Sequence, residues 1–163
     1  MHFTSEQQLD GDILERTFTL GQSPGTLWTP TSVAGPVPLL LIGHPGGLER
    51  MRPRVLGRAR SAVAQGFAVA TLELPGSGER PRIADVDQAR LDLRQAMPEG
   101  APLDGIIDRL IHPLVEQSVP EWQAAIDALG SAQKTLLAST GGHTGVPQSA
   151  SEDAGRFFAR HLG

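Results

Sequence analysis

The stretch VPLLLIGHP, residues 37–45, is a continuous apolar run closed by glycine, histidine and proline. An apolar run of strand length without polar alternation points to a strand covered on both faces, as in a parallel sheet. The segment PRVLGRARSAVAQG (53–66) then places Val55, Leu56, Ala59, Ala62 and Val63 at helical spacing, with Pro53 in the first turn and Gly66 at the end. FAVATLELPG (67–76) is a second buried strand. Strand, glycine-rich loop, helix and strand make a βαβ unit, for which a right-handed crossover is expected.

Reading outward toward the N-terminus, ILERTFTL (13–20) alternates apolar and polar residues and is rich in β-formers, so a half-buried strand is expected. GTLWTP (25–30) is a second short strand, and the turn-rich GQSPG between them makes the pair a hairpin. Residues 1–12 are polar and read as a loosely held arm. Toward the C-terminus, residues 82–115 read as irregular helix interrupted by Pro98, Pro102 and Pro113. VPEWQAAIDALG (119–130) is an amphipathic helix, KTLLAST (134–140) a strand and GGHTGVP (141–147) a loop. SEDAGRFFARHL (151–162) is a closing helix with Ser151 as N-cap. No internal repeat is present, and the expectation is a single domain over 1–163.

Composition narrows the function classes. The 163 residues are 39% hydrophobic and 20% charged, with 14 basic and 18 acidic residues giving a net charge of -4. That balance gives no reason to expect nucleic acid or an anionic membrane as partner. The chain has no cysteine, which excludes disulfides, thiolate metal sites and cysteine nucleophiles. His2, His44, His112 and His161 show no metal-ligand spacing, and neither metal nor cofactor is expected. No signal peptide opens the chain, and the longest apolar run is far too short to span a bilayer; a cytoplasmic protein is expected.

Four stretches, in order, carry a resemblance to the α/β-hydrolase family, in its branch of small esterases and dienelactone-hydrolase-like enzymes. LLLIGHPGG (39–47) resembles that family's strand and oxyanion loop, and TLELPGSGER (71–80) the next strand and its turn. VPEWQAAIDAL (119–129) is similar to the helix leading into the nucleophile strand, and KTLLASTGGHTGVP (134–147) to the last strand and the loop of the catalytic histidine. The resemblance implies an α/β fold, a mainly parallel sheet with flanking helices and an N-terminal β-hairpin. It implies His143 as general base and the backbone N–H groups around Gly46 and Gly47 as oxyanion hole. A small carboxylic ester is the implied substrate, and residues 82–118 the implied cap. His44 packs beside such a site without doing chemistry, and His112 and His161 are incidental.

The nucleophile does not follow from the same comparison. GQSPG (21–25) matches G-x-S-x-G, but strands flank Ser23 on both sides, and Pro24 stands where the nucleophile elbow needs a backbone N–H. Ser77, Ser131 and Ser139 also lack the elbow pattern, so the nucleophile stays unknown. The helix before the elbow runs straight into the strand before the histidine loop. The fold is therefore expected to be truncated in the middle, near Leu129–Ser131, and short by something like 80 residues against a range of roughly 200–250. Asp85, Asp87, Asp104 and Asp108 lie before that join and read as solvated helix surface. Loss of central strands would leave edges that a homodimer could cover. The alternative to an esterase is a non-catalytic remnant that binds a ligand or partner through the old pocket or sheet edge. A βαβ domain cradling phosphate on HPGG ranks last, because no G-x-G-x-x-G or G-K-[ST] signature is present.

Overall fold

The computed structural model describes residues 1–44 and 46–129, all within one compact unit, Met1–Ser131. Strands β1 (His2–Leu9), β2 (Ile13–Leu20), β3 (Ser23–Pro30), β4 (Leu39–Leu41) and β5 (Ala68–Leu72) form one sheet in the order β1-β2-β3-β5-β4. Helix α1 (Leu48–Val63) connects β4 to β5, and α2 (Ala84–Glu99) and α3 (Asp104–Leu129) follow.

The sheet is mixed, which corrects the expectation of a mainly parallel one. Only β4 and β5 are parallel; β1–β2, β2–β3 and β3–β5 are antiparallel. A continuous apolar run reports burial on both faces, not strand direction. β5 is buried at all five residues while pairing with β3 in one sense and β4 in the other. The 37–45 run supplies only the three-residue β4, whose side chains are half-buried.

The N-terminal arm is also corrected: residues 2–9 are a strand. It pairs with β2 from His2↔Thr19 to Leu9↔Ile13, with a bulge between Phe3 and Ser5. No core face marks it, because nearly every residue is exposed. Cross-strand contacts hold it instead. Thr4 and Ser5 hydroxyls meet the Thr17 hydroxyl at 2.7 and 2.6 Å, and Phe3 packs edge-on to Phe18 at 6.3 Å. The β2–β3 hairpin forms as expected but is tighter. Ser23 and Pro24 belong to β3, leaving Gly21 and Gln22 as the turn.

Alternation along the strands sorts the core into two layers. On one face Phe18, Leu27, Ala68, Ala70 and Leu72 pack around Ala125 of α3, with Trp122 and Leu129 beside them. On the other face lie Ile13, Glu15, Trp28, Val69 and Thr71, covered by Val55, Ala59, Ala62 and Val63 of α1. Helix α1 starts five residues before the expected Pro53. The carbonyl that Pro53 leaves without a helical donor belongs to Glu49, which is exposed to solvent. The helix ends in a Schellman pattern, with Gly66 at φ 86°, Gly66 N–H donating to Val63 and Phe67 N–H to Ala62.

Two interruptions expected in the 82–130 region are absent. Helix α3 runs unbroken for 26 residues through Pro113 and Pro120, so residues 119–129 are its final part and not a separate helix. The carbonyls freed are those of Arg109 and Glu116, both exposed. Pro98 falls in the last turn of α2, which ends at Gly100 with φ 66°.

Candidate functional site

The loop after β4 delivers the chain to the N-terminus of α1. Gly46 is exposed at φ 95°, a conformation that favours glycine, and Gly47 is the N-cap of α1. A Cβ on Gly47 would lie 3.0 Å from Cα of Gly78, so this loop and the PGSG turn after β5 meet backbone to backbone. Gly78, at φ 55°, sits directly against the carboxylate of Glu73, leaving no room for a side chain.

Glu73 organises the floor of the site. It closes the apolar run of β5, is buried, and accepts the Leu48 backbone N–H at 2.6 Å. One of the first amides of α1 is thus capped by a carboxylate, the favourable sign for a helix N-terminus. The Glu73 carbonyl accepts a bond from buried Arg80 at 2.9 Å, and Arg80 grips Glu121 of α3 through two bonds of 2.8 and 2.6 Å. Ser77 is buried in the same turn and spends its hydroxyl on the Leu74 carbonyl at 2.7 Å.

His44 is 5% exposed, and neither ring nitrogen completes a hydrogen bond. Burial pushes its pKa below the ordinary 6.5; the nearby Gly46 backbone, the Glu73 charge and the Leu72 backbone oppose this only in part. Two shallow clefts open beside it. One, about 200 Å³, is lined by Gly43, His44, Met51, Arg54, Val55 and Arg58. The other, about 380 Å³, is lined by Gly46, Gly47, Arg50, Met51 and Arg54.

Behind α1 a second buried carboxylate makes a polar network. Glu15 is 2% exposed and accepts bonds from Trp28 Nε1 at 2.6 Å, from Gln7, and from Arg52 Nη2 at 2.7 and 2.8 Å. Burial pushes its pKa up most strongly, but the bonds from Arg52, Gln7 and Trp28 and the Arg52 charge outweigh it. The carboxyl is held below its ordinary 4.5.

The structure places Gly46 and Gly47 together at the mouth of the larger cleft. His143 lies outside the described residues, as do Ser131 and Ser139. Ser23 is buried in β3, away from any elbow turn. Asp85, Asp104 and Asp108 are exposed, whereas Asp87 is half-buried between Arg82 and Arg90 at 2.7 and 2.9 Å. Among the described residues no group of three metal-ligating side chains gathers, and no helix is long and apolar enough to cross a membrane.

No family model matches the chain, and no curated protein matches it. The fold is similar to a solved structure described as the PEG-bound complex of a novel cold-adapted esterase from an Arctic intertidal metagenomic library. The TM-score is 0.50 and the identity 23%, over 79% of this chain and 50% of that one. The native structure of a novel cold-adapted esterase from such a library aligns over 46% of this chain and 32% of that one, at 20% identity and a TM-score of 0.34. The class defined by the first likeness is an esterase-like α/β fold, and the chain spans about half the length of that esterase.

Proposed function

We propose that this chain comes from the lineage of serine ester hydrolases of the α/β-hydrolase family that act on small carboxylic esters. The observation that carries the reading is the loop at Gly46 and Gly47, where a glycine at φ 95° leads from a parallel strand into the N-terminus of a 16-residue helix beside an open cleft. Backbone N–H groups there suit the oxygen of a tetrahedral intermediate, whose developing charge also gains from the helix dipole. The reaction is acyl transfer to a serine and then to water, with His143 taking and returning the proton. The likeness of fold to an esterase supports this reading.

Hydrolysis of p-nitrophenyl acetate by the 163-residue protein, and its covalent labelling by a fluorophosphonate, test it. Turnover that falls about 10²–10⁴-fold in His143→Ala with the fold retained supports the reading. Turnover untouched by that substitution overturns it.

One observation favours the second reading, a non-catalytic protein that binds a ligand or partner through the same clefts. Ser23 and Ser77 are both buried, and the Ser77 hydroxyl is committed to a carbonyl. Absence of turnover in the folded protein, with no fluorophosphonate label, selects this reading.

A further inference from the structure

We infer that the cleft between His44 and α1 is a subsite for an oxyanion group, a carboxylate or a phosphate, carried by the ligand whose reacting end lies at Gly46–Gly47. The inference rests on the esterase reading above for its second half, but the subsite stands on its own observations.

Arg50, Arg54 and Arg58 follow one another at four-residue spacing and so share one flank of α1, and all three line the clefts. Like charges at this spacing repel, and none of the three is paired with a carboxylate among the described residues. Arg52, by contrast, turns inward to Glu15. Five of the chain's 14 basic residues lie on this one helix, in a protein whose net charge is -4. A row of unpaired guanidiniums along a cleft is a receiver for a planar or tetrahedral oxyanion, since each fork can donate two parallel bonds.

The second observation is independent of the arginines. His44 borders the smaller cleft, is almost wholly buried, and leaves both ring nitrogens without a completed hydrogen bond. The Gly46 and Leu72 backbones and the Glu73 charge lie beside that imidazole, so it stands as a polar wall of the cleft already set by the fold. Met51 and Val55 form the apolar wall between these polar groups, which suits a short carbon chain bearing the anion. The helix N-terminus alone would not suffice, because Glu73 already occupies the Leu48 amide.

The test is calorimetric titration of the full chain with two probes, inorganic phosphate and succinate, at low ionic strength. Saturable binding of either probe is expected, weakened about tenfold or more in Arg54→Gln/Arg58→Gln. It should be unchanged in Arg60→Gln, a substitution on the same helix outside the clefts. Both arginines are exposed, so the double variant should keep its fold; circular dichroism checks this. A preference for phosphate or for succinate identifies which oxyanion the subsite takes. No binding of either probe, or equal loss in Arg60→Gln, overturns the inference. Binding without ester turnover upholds the subsite and removes the esterase reading. Turnover of p-nitrophenyl acetate without probe binding does the reverse.

Discussion

The two faces of the sheet are held by different physics. Under α3, Phe18, Leu27, Ala70, Leu72 and Ala125 meet as a purely apolar layer with small residues at its centre. Under α1, the layer holds Glu15, Trp28 and Thr71, with Glu73 and His44 at its end. The first face gains by area removed from water, which tolerates changes of shape if volume is kept. The second depends on directed bonds, and each bond removed strands a buried partner. The candidate site lies at the end of the second face, where positions are fixed to within a hydrogen bond.

Substitutions that contrast the faces should separate these mechanisms. The largest effect is expected at the centre of the polar face. Trp28→Ala removes a fully buried indole and leaves Glu15 short of a donor, so it should cost about 3–5 kcal/mol in urea unfolding. On the apolar face, the Phe18 ring lies over Gly25, and a Cβ there would run into Phe18 Cζ and come within 2.7 Å of the Thr71 carbonyl oxygen. The ring can move and the backbone cannot, so Gly25→Ala should cost about 1–3 kcal/mol, equally at pH 4 and pH 7.

Glu15→Gln should cost about 1–2 kcal/mol at pH 7, a moderate figure because Arg52 is partly exposed. The folded pKa of Glu15 lies below 4.5, so its contribution is complete above that value and lost as pH falls through the folded pKa. The gap between Glu15→Gln and wild type should therefore close below pH 4.5, whereas that of Gly25→Ala should not. A gap that stays constant into acid would show that the network is held by shape and not by charge.

The smallest effect is expected at His44. Its folded pKa lies below 6.5, so the unfolded chain binds the proton more readily, and stability should decline as pH falls from about 6.5 toward the lower folded pKa. The charged groups around it are Glu73 and the cleft arginines Arg54 and Arg58. Thermal melts of wild type and His44→Gln should differ in slope over that interval, with the variant flatter. Parallel slopes would remove His44 as the cause.

Periodicity carried the interior and failed at the margins. ILERTFTL became β2 residue for residue, its β-forming residues marking a strand that buries Ile13 and Glu15 on one face and Phe18 on the other. β1 escaped notice because HFTSEQQL has no buried face to leave a pattern. Its signal was instead the Asp10–Gly11 pair, a turn dipeptide before a clear strand. Proline suggested breaks in 82–130, but a proline removes one hydrogen bond, and an exposed carbonyl replaces that bond with water. The loop position of Gly46 and Gly47 before α1 was legible from the apolar run and the glycines that follow it. Glu73 was not singled out, although a lone acid at the end of FAVATL is itself a sign of a buried carboxylate with a task. The arginine row was equally open to view at residues 50, 54 and 58. Its meaning needed the clefts, since a charged helix flank is normally only solvated.

The carboxylate of Glu73 on the first amide of α1 has one more consequence. It sets a buried negative charge against the N-terminus of a helix whose exposed flank carries Arg50, Arg54 and Arg58. Charge of one sign is thus held inside and charge of the other is shown to solvent, so the helix flank acts as a compass for small ions, and salt, by shortening the reach of both charges, should blur its heading.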